Sequence, residues 1–268
     1  PSSDAAKLGL AELLDRQDLD AKASPLLKVI APNSPFWVQA VVNQTQLVAT
    51  PEEAVAIARA ASEAQPASSQ LKLLYAQTLE QADRRDMAVT VYRSLLDQDA
   101  GGTNGPRRAV YLLLLATALD ASGNWDSARN ALEDAALLDP KNPQILNYLG
   151  YSLLERRIDV ARGFELVSKA HQLAPQSAAI TDSLGWAHFL RGEVDEAIPL
   201  LERAVTAAIA DAAINEHLGD AYWRAGRKIE LGRGNAMKFA DMSGLVQEVA
   251  HAAVIVSYAA RFALCRKM

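Results

Sequence analysis

The chain has 268 residues, of which 50% are hydrophobic and only 6% aromatic, so the helix-favouring residues Ala and Leu must supply most of its core. Its formal net charge of -5 argues against a nucleic-acid-binding protein, because such proteins neutralise phosphates with clustered Lys and Arg. A single cysteine, Cys265, excludes an intrachain disulfide and a cysteine-rich metal site, and no apolar stretch reaches the roughly 20 residues that span a bilayer.

Small residues recur along the chain inside successive apolar segments, and they form two ladders. The first ladder is Ala76, Ala116, Gly150, Gly185 and Gly219. The second is Ala54, Ala88, Ala128, Gly163 and Ala197. Both keep a spacing of 34 or 35 residues, with one step of 40 in the same place. Each repeat also holds two segments with apolar residues at i, i+3, i+4 and i+7, so we predict one helical hairpin per repeat, with the small residues where its two backbones approach.

The ladders divide the chain into units. We predict a degenerate hairpin at 1–34 and a repeat array at 35–230, with units at 35–68, 69–108, 109–142, 143–177, 178–211 and 212–230. The unit at 69–108 is longer because its residues Gly101 to Pro106 are predicted to be an inserted loop. The period is lost from Leu231, and we predict a divergent tail at 231–268. A capping helix in this tail is indicated by Leu245, Val249, Ala252, Val256 and Ala260.

The unit at 109–142 carries a distinctive series of apolar and small residues. The series is Leu112, Leu115, Ala116, Leu119, Gly123, Trp125, Ala128, Leu132, Ala135 and Pro140. With this series, and with Leu149-Gly150 and Leu184-Gly185-Trp186 further along, the chain resembles the tetratricopeptide-repeat (TPR) family of bacterial type over about residues 35 to 230. The resemblance implies an all-α, right-handed α-solenoid, or superhelix, of about seven TPR-like helical hairpins with a C-terminal capping helix. It also implies a protein-protein interaction scaffold.

The sequence contains no pattern that predicts catalysis. Metal-ligand spacing, a phosphate-binding glycine loop and a nucleophile motif are all missing. The histidines lie on four different segments, at His171, His188, His217 and His251. We predict His188 to be a core or semi-core residue, because its register holds leucine or tyrosine in other units. The expectation is a chain that is not an enzyme and has no cofactor and no metal.

The candidate binding site is a stripe beside the core positions of each first helix, which lines the concave groove in the TPR family. In the last three units the stripe is spaced i, i+4 and i+7 and holds Asn147, Tyr151 and Leu154, then Asp182, Trp186 and Phe189, then Glu216, Asp220 and Trp223. We take all of these except Leu154 as candidate partner-binding residues and call them the groove residues. Stacked units would bring Tyr151, Trp186 and Trp223 near one another beside the carboxylates. We therefore predict an acidic, aromatic groove for a protein or peptide with basic and apolar residues. The alternative is that these aromatics only pack against the tail helix or the adjacent unit.

Other functions stay open at this point. The repeats could be a regulatory segment of a larger enzyme or of an envelope or secretion assembly, or a module that self-associates through its tail. RNA-reading repeats are disfavoured because they need a basic groove. The chain begins at Pro1 without a leader pattern, so we expect a removed signal sequence or a fragment of a longer protein. We expect a soluble chain, and the choice between cytoplasm and periplasm is open.

Overall fold

The computed structural model describes residues 3–99 and 105–226, and these residues form 13 α-helices and no β-strand. In chain order the helices are α1 (Asp4–Asp15), α2 (Asp20–Lys28), α3 (Trp37–Leu47), α4 (Pro51–Ala64), α5 (Ser69–Gln81), α6 (Arg85–Gln98), α7 (Gly105–Ala121), α8 (Trp125–Leu138), α9 (Pro143–Glu155), α10 (Val160–Leu173), α11 (Ala178–Leu190), α12 (Val194–Ala207) and α13 (Ala212–Arg224). The prediction of an all-α repeat fold is confirmed. The predicted tail at 231–268, with its capping helix, lies outside the described residues, as do residues 101–104 of the predicted loop.

Consecutive helices pack as hairpins, from α1 with α2 to α11 with α12, and α13 follows them. Each hairpin lies within one of the predicted units, with one difference. Helix α7 begins at Gly105, four residues before its predicted unit begins at 109. Gly105 and Pro106 thus belong to a helix and not to the inserted loop. The helix tolerates Pro106 because the amides of a first turn have no helical acceptor in any case.

The described residues divide into two compact units, one up to residue 138 with α1 to α8 and one from residue 139 with α9 to α13. Apolar clusters join successive hairpins of the second unit. One cluster brings together Leu154, Val167, Leu184 and Ala187 from α9, α10 and α11. The next brings together Phe189, Ala197, Ile198, Leu201 and Ala221 from α11, α12 and α13. Each buried large aliphatic side chain contributes about 1.5–3 kcal/mol, so these clusters fix the positions of α9, α11 and α13.

Helices α9, α11 and α13 begin at side-chain caps of the same kind. Asn142 caps α9, Ser177 caps α11 and Asp211 caps α13, and each accepts a hydrogen bond from a backbone N–H of the first turn. The caps follow one another at 35 and 34 residues, which is the period of the repeat. A cap satisfies an amide that otherwise has no partner and is worth about 1 kcal/mol, so the start of each of these helices is encoded locally.

The turns that end α9, α11 and α13 each contain a residue with a left-handed backbone. Arg157 follows α9 with φ 51°, Gly192 follows α11 with φ 84°, and Gly226 follows α13 with φ 67°. Because α13 ends in the same turn as α9 and α11, it has the geometry of the first helix of a hairpin. Glycine adopts this backbone freely, whereas for a residue with a Cβ atom it costs about 1–2 kcal/mol.

Replacing Arg157 with glycine is therefore expected to raise the free energy of unfolding by about 1 kcal/mol. The matched control is Arg156→Gly, since Arg156 precedes it with a right-handed backbone at φ -83°. Glycine at Arg156 relieves no strain and should lower the stability instead. Urea unfolding followed by circular dichroism measures both changes. If the two variants shift the midpoint in the same direction, the left-handed backbone at Arg157 is not the cause.

Candidate partner-binding groove

The groove residues lie on α9, α11 and α13, which are neighbours because α11 contacts both other helices. They differ in exposure. Asp182 and Phe189 are buried, and Asn147, Tyr151 and Trp186 are half-buried. Glu216, Asp220 and Trp223 are exposed, and 83% of Trp223 is accessible to solvent. The groove residues of α13 are thus the most accessible ones.

The centre of this region is His217, which the sequence analysis did not include among the groove residues. Its Nδ1 atom lies 3.0 Å from Oδ1 and 2.9 Å from Oδ2 of Asp182. The two side chains are only 10% and 8% exposed, so this is a buried pair that joins α13 to α11. We predicted from the sequence that the Asp182 carboxylate lies beside the aromatics as part of an acidic surface. In the structure this carboxylate is instead buried and paired with His217.

Aromatic rings from two helices, α9 and α11, gather around His217 of α13. The indole of Trp186 stacks on the imidazole with ring centroids 4.2 Å apart and on the Phe189 ring at 4.7 Å. The Tyr151 ring lies 6.2 Å from the imidazole. Trp223 makes none of these ring contacts. The predicted gathering of Tyr151, Trp186 and Trp223 is therefore replaced by one of Tyr151, Trp186 and Phe189 around a histidine.

The surroundings of His217 are acidic. Burial is the largest influence on the pKa of His217 and lowers it, but the hydrogen bond to Asp182 and the charges of Asp182, Glu155 and Glu216 outweigh it. The net result is a pKa above the ordinary value of 6.5. Burial also raises the pKa of Asp220, which attraction to His217 offsets only in part. A positive charge is thus favoured at the centre of the groove, with carboxylates around it.

Two polar atoms of the groove residues are buried without a hydrogen-bond partner among the described residues, Asn147 Oδ1 and Trp186 Nε1. Nearly all buried polar groups in proteins have a partner. An acceptor and a donor without one, on the neighbouring helices α9 and α11, are chemically complementary to the N–H and C=O groups of a peptide.

One signal in the sequence could have found His217. It lies 35 residues after Asp182, one residue more than the repeat step from Gly185 to Gly219, so the same turn of neighbouring first helices carries an acid and a base. Outside the groove, His188 is half-buried, as expected for a semi-core residue, and its Nδ1 lies 2.7 Å from Glu193. Within residues 3–99 and 105–226, no helix is both long and apolar enough to cross a membrane.

Comparisons with known proteins place these hairpins among repeat proteins. A family model described as tetratricopeptide repeat matches residues 113–178, 161–213 and 183–228. The TPR repeat-containing protein PA4667 of Pseudomonas aeruginosa is 29% identical over 223 residues, which cover 81% of this chain and 36% of that protein. The human protein O-mannosyl-transferase TMTC1 is 26% identical over 171 residues, or 62% of this chain and 19% of that protein. This chain thus spans about a third of the first relative and less of the second.

The fold is also similar to that of solved structures. The crystal structure of the APC/C hetero-tetramer Cut9-Hcn1 matches with a TM-score of 0.62 and 19% sequence identity. The match covers 77% of this chain and 40% of that one. At this identity the likeness concerns the fold alone.

Proposed function

The chain belongs to the tetratricopeptide-repeat family, through matches over residues 113–228, and from that premise we propose that it is a non-catalytic scaffold that binds a protein or peptide in the groove of α9, α11 and α13. The family assignment supports an interaction scaffold in general terms. The groove as the binding site, and the chemistry of the partner, are the finer parts of the proposal and depend on the residues of these helices.

The observation that carries the proposal is the exposed face of α13. Trp223 is 83% exposed, and Glu216 and Asp220 are exposed on the same helix. Large exposed aromatics supply much of the binding energy at protein interfaces, and neighbouring carboxylates orient a charged partner and speed its association. A partner with an apolar anchor and nearby Lys or Arg residues would match this face.

The other groove residues contribute differently to the proposed site. The charge of Asp182 is already paired with His217, so Glu216 and Asp220 are the groove carboxylates that a cationic partner would meet first. The unpaired Asn147 Oδ1 and Trp186 Nε1 would each gain a hydrogen bond from a peptide that reached them, which removes a desolvation cost of about 1–3 kcal/mol per group.

Selection of peptides from a random display library tests the proposal directly. We expect the native chain to enrich peptides that combine an apolar anchor with Lys or Arg. Trp223→Ala and Asp220→Lys should each weaken a selected peptide at least about tenfold, which corresponds to about 1.4 kcal/mol, in fluorescence anisotropy. Trp223 suits this test better than Trp186, because Trp186 also packs on His217 and Phe189 and its loss would affect stability.

Matched controls for this test lie outside the groove. Leu137→Ala removes another exposed apolar side chain, from α8, and Glu196→Lys reverses an exposed charge in the first turn of α12. Both should leave the affinity unchanged. The groove is not the binding site if Trp223→Ala and Asp220→Lys stay folded and bind as tightly as the native chain.

A second candidate is a repeat segment that serves a larger chain, either an enzyme or an envelope or secretion assembly. The observation that favours it is the small share of both relatives that this chain spans, one of which is named a transferase. Its test is the complete reading frame. A catalytic domain in that frame whose activity changes with Trp223→Ala supports this role, and a frame without a further domain removes it.

A further inference from the structure

We propose that His217, Asp182 and Trp186 form a pH-sensitive latch that fastens α13 to α11 while His217 is positively charged. The latch is a property of the free protein. Its consequence for partner binding rests on the proposed groove, because α13 carries Glu216, Asp220 and Trp223.

The geometry of a latch is present in the contacts of the imidazole. His217 extends from α13, is buried, and meets both carboxylate oxygens of Asp182 on α11. The indole of Trp186, one helical turn after Asp182 on α11, stacks on the same ring with an interplanar angle of 15°. One side chain of α13 is thus held on α11 by a charged hydrogen bond at its edge and by an aromatic ring against its face.

Every ionisable side chain that acts on the imidazole is acidic. Glu155 approaches from α9, Asp182 from α11, and Glu216 and Asp220 from α13 itself. A positive charge on His217 therefore balances an otherwise uniform negative surrounding. No Lys or Arg of the described residues is among the groups that shift its charge state.

Loss of the proton removes this balance while the hydrogen bond can remain. Neutral imidazole still donates from Nδ1, but Asp182 then becomes a buried carboxylate, 8% exposed, without a counter-charge. A buried charge whose partner has been removed is strongly destabilising. Movement of α13 away from α11 would admit water to the Asp182 carboxylate and remove this destabilisation.

The direction of the pH dependence follows from linkage. The pKa of His217 in the folded chain lies above its unfolded value of 6.5. The stabilisation is thus fully present below pH 6.5 and is lost as the pH rises through the folded pKa. The apolar contacts of Ala221 and Leu218 with α11 and α12 do not titrate. We therefore expect α13 to loosen at higher pH without full detachment, while the preceding hairpins stay folded.

Two measurements on the free chain of 268 residues test the latch. The first is a nuclear magnetic resonance titration of the imidazole, assigned by its loss in His217→Gln. We expect His217 to titrate above pH 6.5 in the native chain and below pH 6.5 in Asp182→Asn. In that variant burial, which lowers the pKa of His217, is opposed only by the charges of Glu155 and Glu216. A native midpoint at or below 6.5 would overturn the proposal.

The second measurement is hydrogen exchange of the α13 amides relative to those of α11, at one pH below and one above the native midpoint. Native α13 should lose protection above the midpoint by about tenfold for each unit that separates the folded and unfolded pKa values. His217→Gln keeps an N–H donor for Asp182 but cannot titrate. The protection of its α13 amides relative to those of α11 should therefore be the same at both pH values. Equal pH dependence in the native chain and His217→Gln would contradict the latch.

The native titration needs no variant and stays decisive if His217→Gln fails to fold. Neither measurement uses a partner, so failure of the latch and failure of the proposed groove remain distinguishable. Where a groove peptide is in hand, the latch further predicts that the native chain binds it more weakly above the native midpoint. His217→Gln should show no such loss of affinity, apart from any that the titration of the peptide itself causes.

Discussion

Replacing His217 with alanine is expected to lower the free energy of unfolding by about 3 kcal/mol when measured below pH 6.5. The change leaves the Asp182 side chain, 8% exposed, as a buried carboxylate that has lost both its counter-charge and its donor. It also removes the ring on which Trp186 stacks. Urea unfolding of the variant, followed by circular dichroism, measures the loss.

A double-mutant cycle separates the buried pair from general effects of truncation. Asp182→Ala combined with His217→Ala should cost less than the sum of the two single changes by about 1–3 kcal/mol, because the double variant contains no unpaired charge. His171→Ala is the control, since His171 is half-buried and bonded to exposed Arg203 on the neighbouring hairpin. We expect a cost below about 1 kcal/mol there. Additive losses in the cycle would show that His217 and Asp182 do not depend on each other.

Replacing Gly150 with alanine is expected to lower the free energy of unfolding by about 2 kcal/mol, although alanine is the better helix former. A Cβ atom on Gly150 would lie 2.9 Å from each of three atoms, namely the carbonyl oxygen of Gly163, Cβ of Leu166 and Cγ1 of Val167. Carbon atoms pack at about 3.5–4.0 Å. The backbone oxygen cannot swing aside, so α9 and α10 must separate and lose packing along their length.

The control for this prediction is Gly9→Ala. Gly9 lies in the middle of α1, and a Cβ atom there would meet nothing within 4 Å. The helix preference of alanine should then raise the stability by about 0.5–1 kcal/mol. Urea midpoints of the two variants should therefore move in opposite directions. Gly150→Ala as stable as the native chain would mean that the close approach of α9 and α10 is not required.

The close approach of α9 and α10 is a feature that the sequence alone predicts. Gly150 and Gly163 belong to the two ladders of small residues, and the regular spacing of those ladders indicates where the two helices of a hairpin meet. The caps at Asn142, Ser177 and Asp211 recur at the same period. Such features are local or periodic, so one chain is enough to find them.

The groove was less predictable, because its details depend on how neighbouring units pack. Sequence position alone put Asp182, Trp186 and Trp223 on one stripe. Packing then buries Asp182 against His217, stacks Trp186 on the same ring and leaves Trp223 exposed. A periodic pattern identifies the face of a helix, but the distance between units decides which side chains on that face contact one another.

A hydrogen-exchange footprint of a library-selected peptide shows which helices a bound partner contacts. Peptide fragments that each cover one helix distinguish the first helix of a hairpin from the second in such an experiment. We predict added protection in α9, α11 and α13, with α10 and α12 unchanged. Protection confined to α10 and α12, or to α1–α8, would mean that the partner does not bind in the groove of α9, α11 and α13.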